Sequence, residues 1–148
     1  MNKPQYKVRQ AKLNDVMYFY TAVCSIINKE PDLIEFQTNF KEKFKHKDFI
    51  YLVLEIEKDI LAGCIVAEKR STLSNPAIFI EIQELYITPK YRKHKAADFL
   101  YNAIEALSAE QKIYSIIVNC NINSTLTQNF YTKRGHKIAK KQYNKEIY

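Results

Sequence analysis

The sequence contains few residues that interrupt secondary structure or cross-link a fold. It has two glycines, Gly63 and Gly135, four prolines and no tryptophan in 148 residues. Few positions are therefore available for strained backbone conformations. Its three cysteines are widely spaced, without a Cys-x-x-Cys pair or a Cys/His cluster, which excludes a disulfide framework and a structural zinc site. We therefore expect no metal. No apolar stretch approaches the roughly 20 residues that a membrane helix needs, so we expect no membrane partner either.

The bulk composition is that of an ordinary globular chain. Hydrophobic residues make up 47% and charged residues 26% of the sequence, which is enough apolar surface for one core. The absence of linkers, repeats and low-complexity segments predicts a single domain over residues 1–148. The first ten residues carry cations but no apolar run, so we expect no secretory signal and a cytoplasmic protein.

The formal net charge of +7 raises the question of a nucleic-acid partner. The basic residues are scattered, however, apart from one cluster at residues 92–95 (RKHK), and no recognition motif accompanies them. A localised cluster suits a phosphate-bearing cofactor better than a long polyanion. We therefore expect that nucleic acid is not the partner.

Hydrophobic periodicity predicts the element order β-α-α-β-β-β-α-β-α-β-β. Strands are predicted at residues 6–11, 49–57, 60–69, 77–88 and 113–119, with one or two more after residue 136. Helices are predicted to begin near residues 14, 31, 96 and 124, and Gly135 is expected to stop the last one. The continuous apolar run at 113–119 predicts a strand buried on both faces. The class is α/β (α+β), with a mixed, mostly antiparallel sheet.

Three segments carry a resemblance to a known family. They are residues 81–92 (EIQELYITPKYR), 92–97 (RKHKAA) and 129–136 (NFYTKRGH). In this order they resemble the fourth strand, the acetyl-CoA signature Arg/Gln-x-x-Gly-x-Gly/Ala and the closing Phe-Tyr…Gly-Phe motif of the GNAT N-acetyltransferase superfamily. The resemblance implies the GNAT fold, a mixed central sheet flanked by helices, and acetyl-CoA as cosubstrate.

The second segment departs from the family pattern. Arg92 and Ala97 match, but lysines stand at 93 and 95, where the family commonly or usually has glycine. A lysine in the first helical turn is expected to keep ordinary helical dihedrals, so the backbone N–H groups can still point at a pyrophosphate. Taken alone, the segment fits a solvated basic turn as well as a phosphate cradle.

The resemblance also implies which residues contact the cofactor. The backbone of Leu85, Tyr86 and Ile87 would lie beside the pantetheine arm, in a gap between the fourth strand and its parallel neighbour. The remaining implied contacts are Arg92, Lys93, His94, Lys95, Ala96, Ala97, Asn123 and Tyr131.

Three side chains are the catalytic candidates. The resemblance gives Tyr131 the role of general acid, which suits a phenol that is protonated at neutral pH; the alternative is a tyrosine packed in the core. Glu81 and Glu84 are the base candidates, because burying a carboxylate on a central strand is costly unless it has a functional role or a pairing partner. Strand alternation predicts that they lie on opposite faces, so that only one faces a given cleft. Each could instead be a salt-bridged or strand-edge residue, and a water chain could supply the base.

The implied activity is direct acetyl transfer from acetyl-CoA to a primary amine of a small molecule, a polyamine or a peptide. The non-glycine turn leaves an alternative, a catalytically weak or inactive GNAT-fold protein with a binding or regulatory role. The aromatic tail, residues 143–148, is a possible homodimer contact.

Overall fold

The computed structural model describes residues 4–93 and 95–148. His94, one of the implied cofactor contacts, lies outside the described residues. The chain forms two compact units, of which the first ends at Val118 and the second comprises Asn119–Tyr148.

The first unit is built on a five-stranded sheet. Its strands are β1 (Lys7–Gln10), β2 (Phe49–Glu57), β3 (Ile60–Arg70), β4 (Phe79–Ile87) and β5 (Ser115–Val118), and they lie side by side in that order. All neighbours are antiparallel except β4 and β5, which are parallel. The helices are α1 (Val16–Ile27), α2 (Leu33–Phe44) and α3 (Ala96–Glu110), with short 3₁₀ turns at Leu13–Asp15 and Pro89–Tyr91. The predicted mixed, mostly antiparallel sheet is confirmed.

The hairpin between β2 and β3 forms as its sequence predicts. The strand β2 has the predicted bounds, and the loop is the expected pair Lys58-Asp59. Asp59 takes a left-handed conformation with φ of 64°. Asp tolerates this region better than most residues, so a tight turn forms here without glycine.

Aromatic side chains fill the face of the sheet that α1 and α2 cover. The Phe19 ring of α1 lies 5.2 Å from Phe40 of α2 and 5.6 Å from Tyr51 of β2, measured between centroids. The same core contains Cys64 and Val66 of β3 and Tyr86 of β4. The opposite face is covered by α3, whose Leu100, Tyr101 and Ile104 are buried. Each such side chain stabilises the fold by about 1.5–3 kcal/mol relative to its exposed state.

A network of charged side chains fastens β1 to the start of α1 and to β2. Arg9 Nη1 donates to Asp15 Oδ2 at 2.9 Å, and Arg9 Nε donates to Glu55 Oε2 at 2.8 Å. Burial by itself raises the pKa of Asp15, but hydrogen bonds from Arg9 and from the Lys12 N–H outweigh it and hold that pKa below its ordinary value. The network fixes where α1 begins on the sheet.

Two strand predictions are wrong. The strand at 113–119 shrinks to the four residues of β5, which is the outermost strand of the first unit's sheet and leaves Ile117 37% exposed. A continuous apolar run therefore did not mean burial on both faces. Residues 136–148 form no strand, and Ile138, Tyr143 and Tyr148 are exposed. Local β-propensity does not by itself form a strand, and this segment also carries four lysines, a residue that is depleted in strands.

The second unit contains the helix α4 (Thr125–Thr132). It ends in a Schellman motif, in which the His136 N–H donates to the Tyr131 carbonyl and the Gly135 N–H to the Thr132 carbonyl, both at 3.1 Å. Gly135 has φ of 89°, which confirms it as the residue that stops the helix. Across the described ranges, no helix combines the length and apolar character needed to cross a membrane.

Candidate functional site

The strand β4 extends further than its parallel neighbour. Their pairing runs from Phe79 opposite Ser115 to Ile82 opposite Val118, where β5 ends. The strand β4 continues to Ile87 and is paired there with β3 alone among the described strands of the first unit. Among the described strands of the first unit, one edge of residues 83–87, which include the predicted Leu85, Tyr86 and Ile87, therefore has no strand partner. Backbone groups on such an edge can bind an extended ligand.

A β-bulge in β4 decides which of its side chains share a face. Val66 of β3 pairs with Glu84, but the next residue, Ala67, pairs with Ile82, so Gln83 is an extra residue on β4. Glu81 in turn pairs with Glu68. Because β3 is regular from Val66 to Glu68, these two residues and their partners lie on one face of the sheet.

Glu81 and Glu84 therefore lie on the same face, the one that α1 and α2 cover. The prediction that they lie on opposite faces is wrong, because the bulge shifts the alternation by one residue. Gln83 joins them, since its Nε2 donates to Glu68 Oε2 at 2.8 Å. The bulge thus collects three carboxylates, those of Glu68, Glu81 and Glu84, along one face.

The two base candidates have different surroundings. Glu81 Oε2 accepts a hydrogen bond from Arg70 Nη1 at 2.9 Å. Glu81 is therefore salt-bridged, which was one of the alternatives to a role as the base. Glu84 is half-buried, and loss of solvation raises the pKa of its carboxyl above the ordinary value. Burial also raises the pKa of the neighbouring Cys64 thiol, with a smaller contribution from the charge of Glu84. A carboxylate with a raised pKa is the better proton acceptor, and the role of Glu84 or Glu81 as a base remains a prediction.

Arg92 fastens the turn after β4 to the end of that strand. Its Nε donates to the Ile87 carbonyl at 3.0 Å, and its guanidinium lies 5.8 Å from the centre of the Tyr86 ring. The side chain is thus directed back onto two of the predicted cofactor-binding residues. Arg92 sets the path of the backbone that leads into α3.

Lys95 has a conformation that the sequence did not lead us to expect. It is the N-cap residue of α3, and its φ of 55° and ψ of 28° are left-handed rather than helical. Glycine takes this conformation freely, whereas a residue with a Cβ is destabilised by about 1–2 kcal/mol. This explains in physical terms why glycine is the family's usual residue here, and it corrects the expectation of helical dihedrals.

The two lysines of the turn have solvent-exposed side chains. Lys93 and Lys95 are both exposed. Ala96 is buried and Ala97 partly buried, and they supply N–H groups to the first turn of a 15-residue helix. The N–H groups and the positive end of the helix dipole at such a terminus attract phosphate.

Two predicted site residues belong to the second unit. The Asn123 N–H donates to Asn121 Oδ1 at 2.9 Å in the turn that precedes α4. Tyr131 lies in α4 and is buried, with its ring 5.1 Å from Phe130 and 5.4 Å from His136. Their roles toward a cofactor remain predictions. Within residues 4–93 and 95–148, no group of three or more His, Cys, Asp or Glu side chains is arranged to hold a metal ion.

Comparison with solved structures finds the same fold in several proteins. A possible acetyltransferase from Clostridium difficile 630 superposes with a TM-score of 0.81 at 17% identity, covering 97% of this chain and 98% of that one. AAC(6')-Iy, in complex with the bisubstrate analogue CoA-S-monomethyl-acetylneamine, gives a TM-score of 0.81 at 12% identity, covering 97% of this chain and 99% of that one. A transcriptional regulator from Bacillus halodurans C-125 gives 0.86 at 13% identity, covering 97% and 100%.

A comparison with curated proteins finds no match to this sequence. The model of the acetyltransferase (GNAT) family, by contrast, matches residues 14–136, which include β4, the turn into α3 and α4. The match covers most of the chain and spans both units. The chain therefore belongs to the GNAT acetyltransferase family, which uses acetyl-CoA as its acetyl donor.

Proposed function

We propose that the protein transfers an acetyl group from acetyl-CoA directly to a primary amine of a small molecule, a polyamine or a peptide. The observation that carries the proposal is that β4 extends beyond β5 and then turns into the N-terminus of α3. An open strand edge beside a helix N-terminus offers backbone hydrogen bonds next to a phosphate site.

The residues of the first unit fit the parts of this cosubstrate. The free edge of residues 83–87 suits the amide-bearing pantetheine arm, which can take the place of a neighbouring strand. The N–H groups at the start of α3, with the exposed Lys93 and Lys95, suit the pyrophosphate. Arg92 keeps the turn in place through its Nε hydrogen bond to the Ile87 carbonyl, and it stays a candidate phosphate contact through its remaining guanidinium N–H groups.

The reaction needs a proton acceptor, a proton donor and a polarised carbonyl. When bound, acetyl-CoA supplies an activated thioester whose carbonyl carbon the amine can attack. We assign Glu84 to accept the proton that the amine must lose, since its half-buried carboxylate has a raised pKa. Backbone N–H groups on the free edge of β4 would stabilise the negative charge on the thioester oxygen. Tyr131 is the candidate to donate a proton to the departing sulfur.

Binding and turnover test the proposal separately. Calorimetric titration with acetyl-CoA is expected to give saturable binding at sub-millimolar concentration. A thiol-release assay over a panel of diamines, polyamines, aminoglycosides and peptides is expected to give steady turnover with at least one class. Absence of binding in that range would overturn the proposal.

The conformation of Lys95 favours a second candidate function. A side chain at a left-handed position in the cofactor turn would weaken phosphate binding if it lay over the N–H groups. The protein would then be a catalytically weak or inactive member with a binding or regulatory role. Steady thiol release with any amine in the panel would exclude this candidate, whereas binding without turnover over the whole panel would favour it.

We also propose that the protein forms a homodimer through its aromatic tail. Tyr143, Ile147 and Tyr148 are exposed at the end of the second unit. Light scattering after size exclusion is expected to give twice the chain mass, and removal of residues 143–148 is expected to give the monomer. A monomeric full-length chain would contradict this.

A further inference from the structure

The helix α1 is bonded to the residue that follows β4. The Tyr18 hydroxyl lies 2.8 Å from Thr88 Oγ1, in a partly buried hydrogen bond between residues 70 positions apart. The Tyr18 ring also meets the Tyr86 ring edge-on, with 6.3 Å between centroids. A single side chain of α1 therefore contacts both the last part of β4 and the residue after it.

Thr88 is the junction between β4 and the turn that precedes α3. Its N–H donates to the Ala62 carbonyl of β3 at 2.8 Å, and its carbonyl accepts from the Tyr91 N–H at 2.9 Å. Its hydroxyl is bonded to Tyr18. Thr88 thus joins β3, the 3₁₀ turn and α1 at one point, just where β5 gives no support to β4.

The contacts continue from this junction to Arg92. Tyr86 lies under the Arg92 guanidinium, and Arg92 Nε holds the Ile87 carbonyl. Tyr18 packs against the same Tyr86 ring. An unbroken series of contacts therefore leads from α1 through Tyr86 and Thr88 to the turn that leads into α3.

We propose that Tyr18 is a positioning residue, which holds the turn into α3 in its ligand-binding arrangement through its hydrogen bond to Thr88. The inference rests on the proposed function, because the ligand of that turn is the pyrophosphate of coenzyme A. If the bond is lost, the turn samples other arrangements, and the apparent affinity falls in proportion to the fraction that remains competent.

The physical state of the Tyr18 hydroxyl supports this role. A phenol ordinarily keeps its proton at neutral pH and burial raises the pKa of this one further, so the bond to Thr88 is a neutral hydrogen bond. Removing one partner of such a bond leaves the other polar group buried without a partner. Removing both partners costs less than the two single changes added together, which a double-mutant cycle detects.

The test is calorimetric titration of the full chain with coenzyme A. Tyr18→Phe and Thr88→Val are each expected to weaken binding measurably, with an upper limit of about fivefold, the factor that one neutral hydrogen bond accounts for. The double variant is expected to bind about as weakly as either single variant, and Thr88→Ser, which keeps the hydroxyl, to bind like the wild type.

Tyr20→Phe is the matched control. Tyr20 also lies on α1, and its hydroxyl donates to the Pro31 carbonyl at 2.7 Å rather than to the end of β4. We expect this variant to retain wild-type affinity. Equal weakening by Tyr18→Phe and Tyr20→Phe would overturn the inference, because it would show a general effect of disturbing α1.

Amide hydrogen exchange in the free protein gives a readout that needs no ligand. Faster exchange of the Tyr91 and Arg92 amides is expected in Tyr18→Phe but not in Tyr20→Phe, and unchanged rates would contradict the inference. If the wild type binds coenzyme A and Tyr18→Phe and Thr88→Val bind it with the same affinity, this inference alone is overturned. A wild-type protein that does not bind coenzyme A would overturn the proposed function as well.

Discussion

Replacing Gly63 with alanine would place a methyl group where β3 meets the end of β4. An added Cβ would lie 2.6 Å from Ile87 Cδ1, 2.8 Å from the Tyr86 carbonyl oxygen and 3.2 Å from Leu100 Cδ1. The Ile87 methyl can rotate away, but the carbonyl oxygen is part of the backbone. The end of β4 must therefore move away from β3 by several tenths of an ångström, and that movement displaces the free edge assigned to the pantetheine arm.

The size of the effect follows from the packing. Overfilling a close-packed site of this kind costs about 1–3 kcal/mol, so Gly63→Ala is expected to lower the free energy of unfolding by that amount, measured by urea denaturation. Coenzyme A binding by the folded variant is expected to weaken about tenfold or more, since small misplacements of a binding surface are costly. Both quantities are measurable on the purified chain.

Ala67→Gly serves as the control for Gly63→Ala. Ala67 is fully buried on the same strand and pairs with Ile82, before the free edge begins. Its loss of a methyl group is expected to cost about 1 kcal/mol of stability without pushing β4 aside, so coenzyme A affinity should stay close to wild type. A Gly63→Ala variant with unchanged stability and unchanged affinity would refute the packing argument.

Three further predictions concern the chemistry. Glu84→Gln is expected to lower kcat/KM about 10²-fold. In the wild type, kcat/KM should fall with decreasing pH through a pKa above the ordinary 4.5, because the base must be deprotonated, and this fall on the acidic side of the pH profile should be absent from the variant. Lys95→Gly is expected to change the unfolding free energy by less than about 1 kcal/mol, since relieved backbone strain offsets the flexibility of glycine. The variant is also expected to preserve or improve coenzyme A affinity in calorimetry. A large loss of that affinity would show that Lys95 is itself a phosphate ligand. Tyr131→Phe is expected to lower kcat about tenfold or more while leaving coenzyme A affinity nearly unchanged, and unaltered kcat would remove Tyr131 as the acid.

The strands could be predicted where local sequence decides them. The hairpin of β2 and β3 was predictable because β-branched residues flank a two-residue turn. The bulge at Gln83 was not predicted, although the spacing of apolar residues in β4 indicates it. Ile80 and Ile82 keep a two-residue step, but the next α3-facing residue is Leu85, three positions on, and this change of step is what a bulge produces.

Other features depend on tertiary context that a single sequence does not contain. The apolar run of β5 is the same whether the strand is central or outermost, so its exposure was not predictable. The left-handed Lys95 depends on how the turn must enter α3, and lysine gives no signal for it. The proposal of Glu84 rather than Glu81 as the base rests on the Arg70 ion pair and the local burial, neither of which follows from spacing along a strand.

The central claim is that the free edge of β4 and the start of α3 bind coenzyme A. Amide hydrogen exchange of the full chain, with and without saturating coenzyme A, tests it most directly. Slower exchange confined mainly to amides within residues 83–87 and 95–97 is the result that the account predicts. Binding that leaves both segments unchanged, or that protects a different surface, would contradict it.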